Sequence, residues 1–439
     1  MRCSWRKPRW GCCVTTEERQ HLRYPARNNL GRGVSTPYFL MLALAASAST
    51  VDARPYPGIS GLAATADSAA TAGSNPAGIT RFDQRAFEVE LMWFNSESEW
   101  ESGIRDGDDL SVSENSGDTI VPRVFYVQPI NEQLAFSFTV LGAAFSDDFG
   151  NWPARYFLKE YQALAVSAFP SLAFEIDERW SVAGSVAVTY ASYEQERAVA
   201  NLFDPGFGDG KSRIETDSVE FGFGLSTLYQ ASPQTRWGLT YNSEIDTTQD
   251  GGNDLSGLGP RTEAAMQRLG LIGADIEVQS TSPQSVLLGL YHEFANDHAV
   301  TIDAAWIDFS SFRLSEFYFD GRGFIESDAD YNDIYGLAAS YTWPVTDRWM
   351  LGVGGLITNQ LIDDEDRTMM LRLDAIWSAG VAAEWQWREG YVLKAALSYL
   401  DFGDAPVTTD PIAGIGSFAG EYTSRDTLLL QVAIKYGGL

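Results

Sequence analysis

Apolar and polar side chains alternate at every second position along much of this chain, and that constrains its fold more than any other feature. Phe87, Val89, Leu91 and Trp93 fall on one face of an extended segment, with Glu88 and Glu90 on the other. Residues 181–190 repeat the pattern: Val182, Val186 and Val188 form an apolar face that begins at Trp180 and ends at Tyr190. Val300, Ile302, Ala304 and Trp306 oppose Thr301 and Asp303. Tyr391, Leu393, Ala395, Leu397 and Tyr399 oppose Lys394 and Ser398. Leu428, Leu430, Val432, Ile434 and Tyr436 oppose Gln431 and Lys435. A period of two is the signature of a strand with one apolar face. Aromatic residues at both ends of such a face are what the two interfaces of a membrane select.

Mean hydropathy is −0.16, and the several apolar runs of roughly 20 residues that a bundle of membrane helices requires are missing from the sequence. A membrane barrel escapes that test, because lipid-facing and lumen-facing residues average out. A secreted β-sandwich also alternates, but its strands are shorter and carry no paired aromatic girdles. The connections alternate in length. Short turns fall at 129–132, 177–178, 233–234, 296–297, 344–347 and 389–390, and longer loops near 97–117, 145–159, 195–214, 248–274, 314–329, 361–372 and 403–422. Short turns on one side and long loops on the other predict an all-β fold, a 14-stranded antiparallel transmembrane β-barrel. Its strands are expected near 85–96, 119–129, 133–144, 160–176, 179–194, 215–231, 235–247, 275–295, 298–313, 330–343, 348–360, 373–388, 391–402 and 423–436. An even number returns both chain ends to the periplasmic side.

Residues 1–53 have a different character. They hold eight of the 31 Lys and Arg but only three of the 59 Asp and Glu, and end in an apolar run at 38–46 followed by small residues. Positive region, short hydrophobic region and small-residue cleavage site predict a basic extension plus an export signal. Cys3, Cys12 and Cys13 all lie there, so no disulfide framework or Cys-based metal site is expected in the mature protein. The formal charge of −28 argues against a nucleic-acid partner, since phosphate binding needs the opposite sign. Hydrated acidic loops account for it more simply.

Between the signal and the first strand, residues 54–84 are rich in small side chains, with Asn75-Pro76-Ala77 at their centre. Pro76 fixes φ and lacks a donor, and Asn75 can cap a turn. In front of a barrel at 85–439 such a segment reads as a hatch folded back into the lumen, or else as an ordered N-terminal tail. Asn75 through Thr80, followed by Asp83, resembles the N-terminal hatch of the FadL-type outer-membrane transporters of long-chain fatty acids and other hydrophobic compounds. Tyr126 through Pro129, residues 149–162, Pro170 through Ala173, Arg179-Trp180-Ser181 and residues 235–244 resemble that family in the same order, over about residues 60–439. The chain departs from it at Asn242, where the family commonly has Arg. The resemblance implies passive transport of a hydrophobic ligand through a monomeric outer-membrane barrel. Outer-membrane lipid and the barrel-assembly machinery would be its surroundings, and no cofactor, metal or catalytic residue is implied. The ligand would be a long-chain fatty acid, or an aromatic or alkane hydrocarbon.

Two loops are not simply polar. Residues 198–210 carry Leu202, Phe203 and Phe207. Residues 261–276 carry Ala265, Met266, Leu269 and Ile272 at near-helical spacing. The resemblance makes these loops a capture groove, and packing of the two loops on each other as a lid is the alternative. It also implies basic side chains for a ligand carboxylate, for which Arg155, Lys159 and Lys394 are the candidates. Glu88, Glu90 and Asp303 are expected in the lumen, either repelling an anion or pairing with Arg81 or Arg85 to hold the hatch. Two other readings are a general diffusion porin, which would have a wide wet lumen and no plug, and a barrel lipid hydrolase built on His292, the sole strand histidine.

Overall fold

A computed structural model describes residues 60–102, 111–312, 314–319, 330–367, 374–409 and 417–437. The export signal and basic extension lie outside these residues. Alternation along the chain becomes a single antiparallel sheet of eighteen hydrogen-bonded segments. They are β1 (Ala86–Ser102), β2 (Ser111–Pro129), β3 (Leu134–Asp148), β4 (Glu160–Asp177), β5 (Trp180–Val199), β6 (Gly210–Ser232), β7 (Thr235–Asn242), β8 (Ile245–Ser256) and β9 (Asp275–Ser282). There follow β10 (Ser285–Glu293), β11 (Ala299–Ile307), β12 (Leu314–Phe319), β13 (Ile334–Thr346), β14 (Trp349–Thr358), β15 (Trp377–Arg388), β16 (Tyr391–Asp401), β17 (Ala405–Thr408) and β18 (Ala419–Tyr436).

Fourteen of these close a ring. β1 pairs with β18, Phe87 opposite Tyr436, and the circuit returns through β2–β7, β10, β11 and β13–β16. The other four continue ring strands outward: β8 extends β7, β9 leads into β10, β12 follows β11 and β17 follows β16. Closure leaves no sheet edge inside the membrane, which is what lets a β-structure span lipid.

Many lumen-facing side chains are small or polar, among them Ala183, Ser226 and Thr301, and these are buried. The outward Leu164, Leu172, Val186, Phe221, Leu239 and Val432 are exposed to what is lipid in the membrane. Aromatic pairs mark both rims: Trp349 on Trp385 and Tyr391 on Tyr436 near the short turns, Trp377 on Tyr399 near the long loops.

Three expectations change in detail. The loops expected at 97–117 and 195–214 are shorter, because β1, β2, β5 and β6 run on beyond the membrane as polar ladders such as Glu196↔Arg213. With no oil on either side, those residues lack an apolar face and give no period-two signal. The strands expected at 235–247 and 275–295 each break, after Asn242 and before Ser285, where Pro283 cannot donate to the ladder. The strand expected at 298–313 gives way to a 3-10 turn at Phe309–Ser311.

Candidate functional site

Residues 60–82 lie inside the barrel. A short helix, Thr71–Ser74, is followed by a 3-10 helix, Pro76–Arg81. Asn75 caps the second: its side-chain oxygen accepts from Ala77 N at 3.2 Å, and its Nδ2 donates to Ala63 O at 2.6 Å and to Thr227 O on the wall at 3.1 Å. Pro76 occupies the first helical position, where its missing N–H costs nothing. Ala77 N donates to Ser226 Oγ at 3.0 Å, and the Ala77 side chain is wholly buried. The NPA tripeptide thus joins the two halves of the plug and seats both on β6. Beneath it Ala69, Ala70, Ala72 and Ile79 pack on Phe125, Val127 and Leu228 of the wall.

Small residues let the plug's backbone touch the wall. Gly238 on β7 faces Ala63, and a Cβ there would overlap the Ala63 carbonyl. Charged side chains then reach the plug directly. Asp303 accepts from Gly61 N at 2.5 Å, Leu62 N at 3.3 Å and Ala63 N at 3.2 Å. Arg236 donates to Ala64 O at 3.0 Å and to Thr65 O, and lies over the Tyr291 ring. Glu88 accepts from Ala70 N at 3.3 Å and Lys435 donates to Asp67 O at 3.1 Å.

Glu88, Glu90 and Asp303 face inward as expected, but their partners differ from those expected. Glu88 pairs with Lys394 at 3.0 Å and Glu90 with Arg123 at 3.3 Å, both pairs fully buried. Arg81 instead donates to Ala66 O and Gln230, and Arg85 is exposed. Nearest neighbours in sequence are displaced here by residues on facing strands, because β1 lies between β2 and β18, with β16 next.

Above the plug is a cavity of about 160 Å³. Leu62, Ala72, Pro76, Leu141, Phe169 and Leu287 are among its lining, and no Asp, Glu, Lys, Arg or His contributes to it. A second plug lies on the extracellular side. Residues 149–158 fold into the barrel mouth, where Phe149 stacks on Trp152 and Trp100 meets Trp152 and Tyr422 edge-on. Phe309, Phe312 and Tyr331 form a second aromatic group in the same cluster. A wide wet lumen, the mark of a general porin, is therefore not what these residues enclose.

The hydrogen bonding of the wall is interrupted beside the chamber, although β2 and β3 stay in contact there. The β2–β3 ladder ends at Arg123↔Leu141, although both strands continue outward. Pro122 follows on β2 and has no N–H to offer. From there β2 pairs with β1 and β3 with β4.

Two loops cap the assembly. Leu202, Phe203, Phe207, Leu269 and Ile272 are exposed, and Met266 is half-buried. The expected helical spacing is a helix at Pro260–Arg268. Its start is capped by the other loop: Asp204 accepts from Arg261 N and Thr262 N at 2.8 Å and from Thr262 Oγ1 at 3.1 Å. Desolvation pushes the Asp204 carboxyl up, but those hydrogen bonds outweigh it and hold its pKa below the ordinary value. Asn201 adds bonds to Gly257 O and Gly259 N. The two loops are thus clamped together and still present apolar side chains to water.

Arg155 and Lys159 adjoin these loops. Arg155 pairs with Asp209 at 2.9 Å and Lys159 with Glu196, whose hydrogen bond raises the lysine pKa. Lys394, sealed with Glu88, lies outside the chamber lining. His292 contacts the Thr235 hydroxyl at 2.9 Å near the periplasmic turn. Sequence reasoning assigned no role to Arg236. A lone cation on the lumen side of an alternating strand was the available signal.

A closed fourteen-stranded barrel, plugged from both ends around an uncharged chamber and dressed with apolar loops, defines an outer-membrane transporter of hydrophobic molecules. Residues 43–436 match the family described as outer membrane protein transport protein (OMPP1/FadL/TodX), and the chain belongs to that family. It is 24% identical over 400 residues to a long-chain fatty acid transport protein of Escherichia coli O6:H1, covering 82% of this chain and 87% of that protein. A long-chain fatty acid transport protein of Salmonella typhi is 24% identical over 358 residues, covering 73% and 79%. The fold is shared with a crystal structure of a Pseudomonas aeruginosa FadL homologue, with TM-score 0.78, 17% identity and coverage of 93% and 99%. It is shared also with that of the toluene transporter TodX of P. putida, with TM-score 0.63, 15% identity and coverage of 83% and 92%. The family's members are transporters and channels rather than enzymes, and the protein is a component of the outer membrane.

Proposed function

We propose that the protein takes up hydrophobic molecules passively in three stages: capture on the loops around Phe203, Phe207, Met266 and Leu269, residence in the chamber, and release when the hatch at 60–82 moves. The uncharged chamber is the observation that carries this reading. Burying apolar surface contributes roughly 25 cal/mol per Å², so a neutral ligand needs no charged anchor there. A cavity of roughly 150 Å³ accepts one benzene ring where its lining is apolar. Here Leu62, Leu141, Phe169 and Leu287 supply apolar wall among Ser and Thr hydroxyls, so a single aromatic ring or the end of an alkyl chain fits the closed state by size.

Long-chain fatty acids are the second reading, favoured by the names of the curated relatives. Arg155 and Lys159 beside the loops would then meet the carboxylate while the chain enters. Uptake of labelled oleate, toluene and a small sugar into liposomes holding the protein tests both. Toluene entering faster than oleate, with the sugar excluded, is expected from the first reading. Oleate entering alone establishes the second, and ready entry of the sugar overturns both. Removal of residues 67–80 from a folded barrel is expected to change uptake.

A further inference from the structure

The hydrogen bonds of Gly61 through Thr65, at the start of the described hatch, divide unevenly. The carbonyls are met by several different partners. Thr65 Oγ1 donates to Gly61 O at 2.6 Å, Ser74 Oγ to Leu62 O at 2.7 Å, Asn75 to Ala63 O, and Arg236 to Ala64 O and Thr65 O. The three successive N–H groups of Gly61, Leu62 and Ala63 all point at one acceptor, the carboxylate of Asp303. Gly61 has φ +79°, the left-handed conformation that turns consecutive N–H groups into one concave anion-binding nest. The segment is buried: Ser60, Leu62 and Asp303 are all at most 3% exposed. Three buried donors therefore depend on a single carboxylate, and buried N–H groups left without an acceptor are strongly disfavoured.

This nest adjoins the ligand chamber. Leu62 belongs to both, and Ala305 and Leu287 of the chamber lining lie two residues further along β11 and β10, on the same lumen face as Asp303 and its neighbour Gly289. Bound carboxylates differ little to a backbone nest, whichever molecule carries them. We propose that the N–H nest of Gly61, Leu62 and Ala63 is a carboxylate-binding site, filled by Asp303 while the hatch is seated and taken over by the carboxylate of an incoming acid. The acid enters protonated and hands its proton to Asp303, so its own carboxylate takes the nest, Asp303 becomes a neutral carboxylic acid, and no second buried charge is created. The hatch's donors stay satisfied but its tie to β11 is lost, so an acid speeds an opening that a neutral ligand of equal size must await. The inference rests on the transport reading and adds to it a chemical trigger for carboxylic acids.

Two measurements test it. In the unmodified protein, hydrogen exchange of residues 60–66 is followed with octanoate or octanol. Octanoate is expected to speed exchange roughly tenfold, the factor that follows from about 1.4 kcal/mol, with octanol without effect; equal responses to the two would overturn the proposal. In Asp303→Ala the tie is already gone, so residues 60–66 are expected to exchange as fast as in the octanoate-treated unmodified protein, and octanoate to add nothing. Asp303→Asn, whose amide oxygen still accepts from the nest but more weakly than a carboxylate, should fall between the two. An octanoate response in Asp303→Ala as large as in the unmodified protein would place the trigger elsewhere and sink the idea. Should either variant fail to fold, the exchange measurement on the unmodified protein decides alone. Toluene uptake by the unmodified protein separates the two levels: its persistence alongside a failed nest leaves the transport reading intact, and its loss removes that reading itself.

Discussion

The two plugs of this barrel are made of opposite materials. The periplasmic one, residues 60–82, is built of Ala, Gly, Ser and Thr and is held by hydrogen bonds to a few wall residues, among them Asp303, Arg236, Thr227 and Ser226. The extracellular one is built of Phe149, Trp152, Phe157, Phe309 and Phe312 and is held by ring packing. Directional bonds are few and can be exchanged one at a time. Aromatic packing is a sum of many weak contacts that all vanish together. The two plugs are therefore held by forces of different kinds, one that can be given up bond by bond and one that cannot.

Truncating the aromatic cap should have the largest effect. Trp100→Ala, at the junction of Trp152 and Tyr422, is expected to lower stability by about 3–5 kcal/mol, read from urea-induced unfolding in detergent, with the hatch unaffected. If Trp100→Ala instead left stability alone and opened the channel, the division of labour would be wrong. Gly238→Val comes next. It forces a side chain onto the Ala63 carbonyl, so the barrel should fold with its hatch displaced, seen as proteolysis within residues 60–82 that the parent resists. Asn75→Ala should act on the hatch more mildly. Losing its bonds to Ala63, Thr227 and Ala77 is expected to favour opening by roughly 1–3 kcal/mol, measured by hydrogen exchange.

The smallest effect is expected at the loops. Asp204→Ala should loosen helix Pro260–Arg268 without touching barrel stability, read as faster exchange at Arg261 and Thr262. Acid should reproduce this in the unmodified chain. The Asp204 carboxyl titrates lower in the folded protein than its ordinary 3.8. Its contribution is therefore present above that value and is lost as pH falls through the lower, folded one. Loop exchange that accelerates already near neutral pH would contradict the assignment.

The wall was legible in the sequence because each of its residues meets either oil or lumen. Val182, Val186, Ile302 and Val432 announce the outer face wherever lipid lies against it. Where water replaces lipid, as along Glu196 and Arg213, both faces turn polar and the strands went unseen. Partners across the lumen were hidden for a different reason. Lys394 and Glu88 are brought together by closure of the ring, from opposite ends of the chain. Asp303 reaches Gly61 in the same way. Alternation tells which side a charge faces; it carries nothing about what faces it. The NPA motif was legible as a turn, and its tie to Thr227 and Ser226 was not.

The central claim is that the hatch must move for ligand to pass. Thr80 Oγ1 and Ser181 Oγ lie 2.7 Å apart, one on the hatch and one on β5, so Thr80→Cys with Ser181→Cys can tie the plug to the wall. Toluene and oleate uptake is then measured into liposomes holding the oxidised protein. Uptake that stops on oxidation and returns with reductant is the expected result; uptake that continues at full rate through the tethered barrel would contradict it.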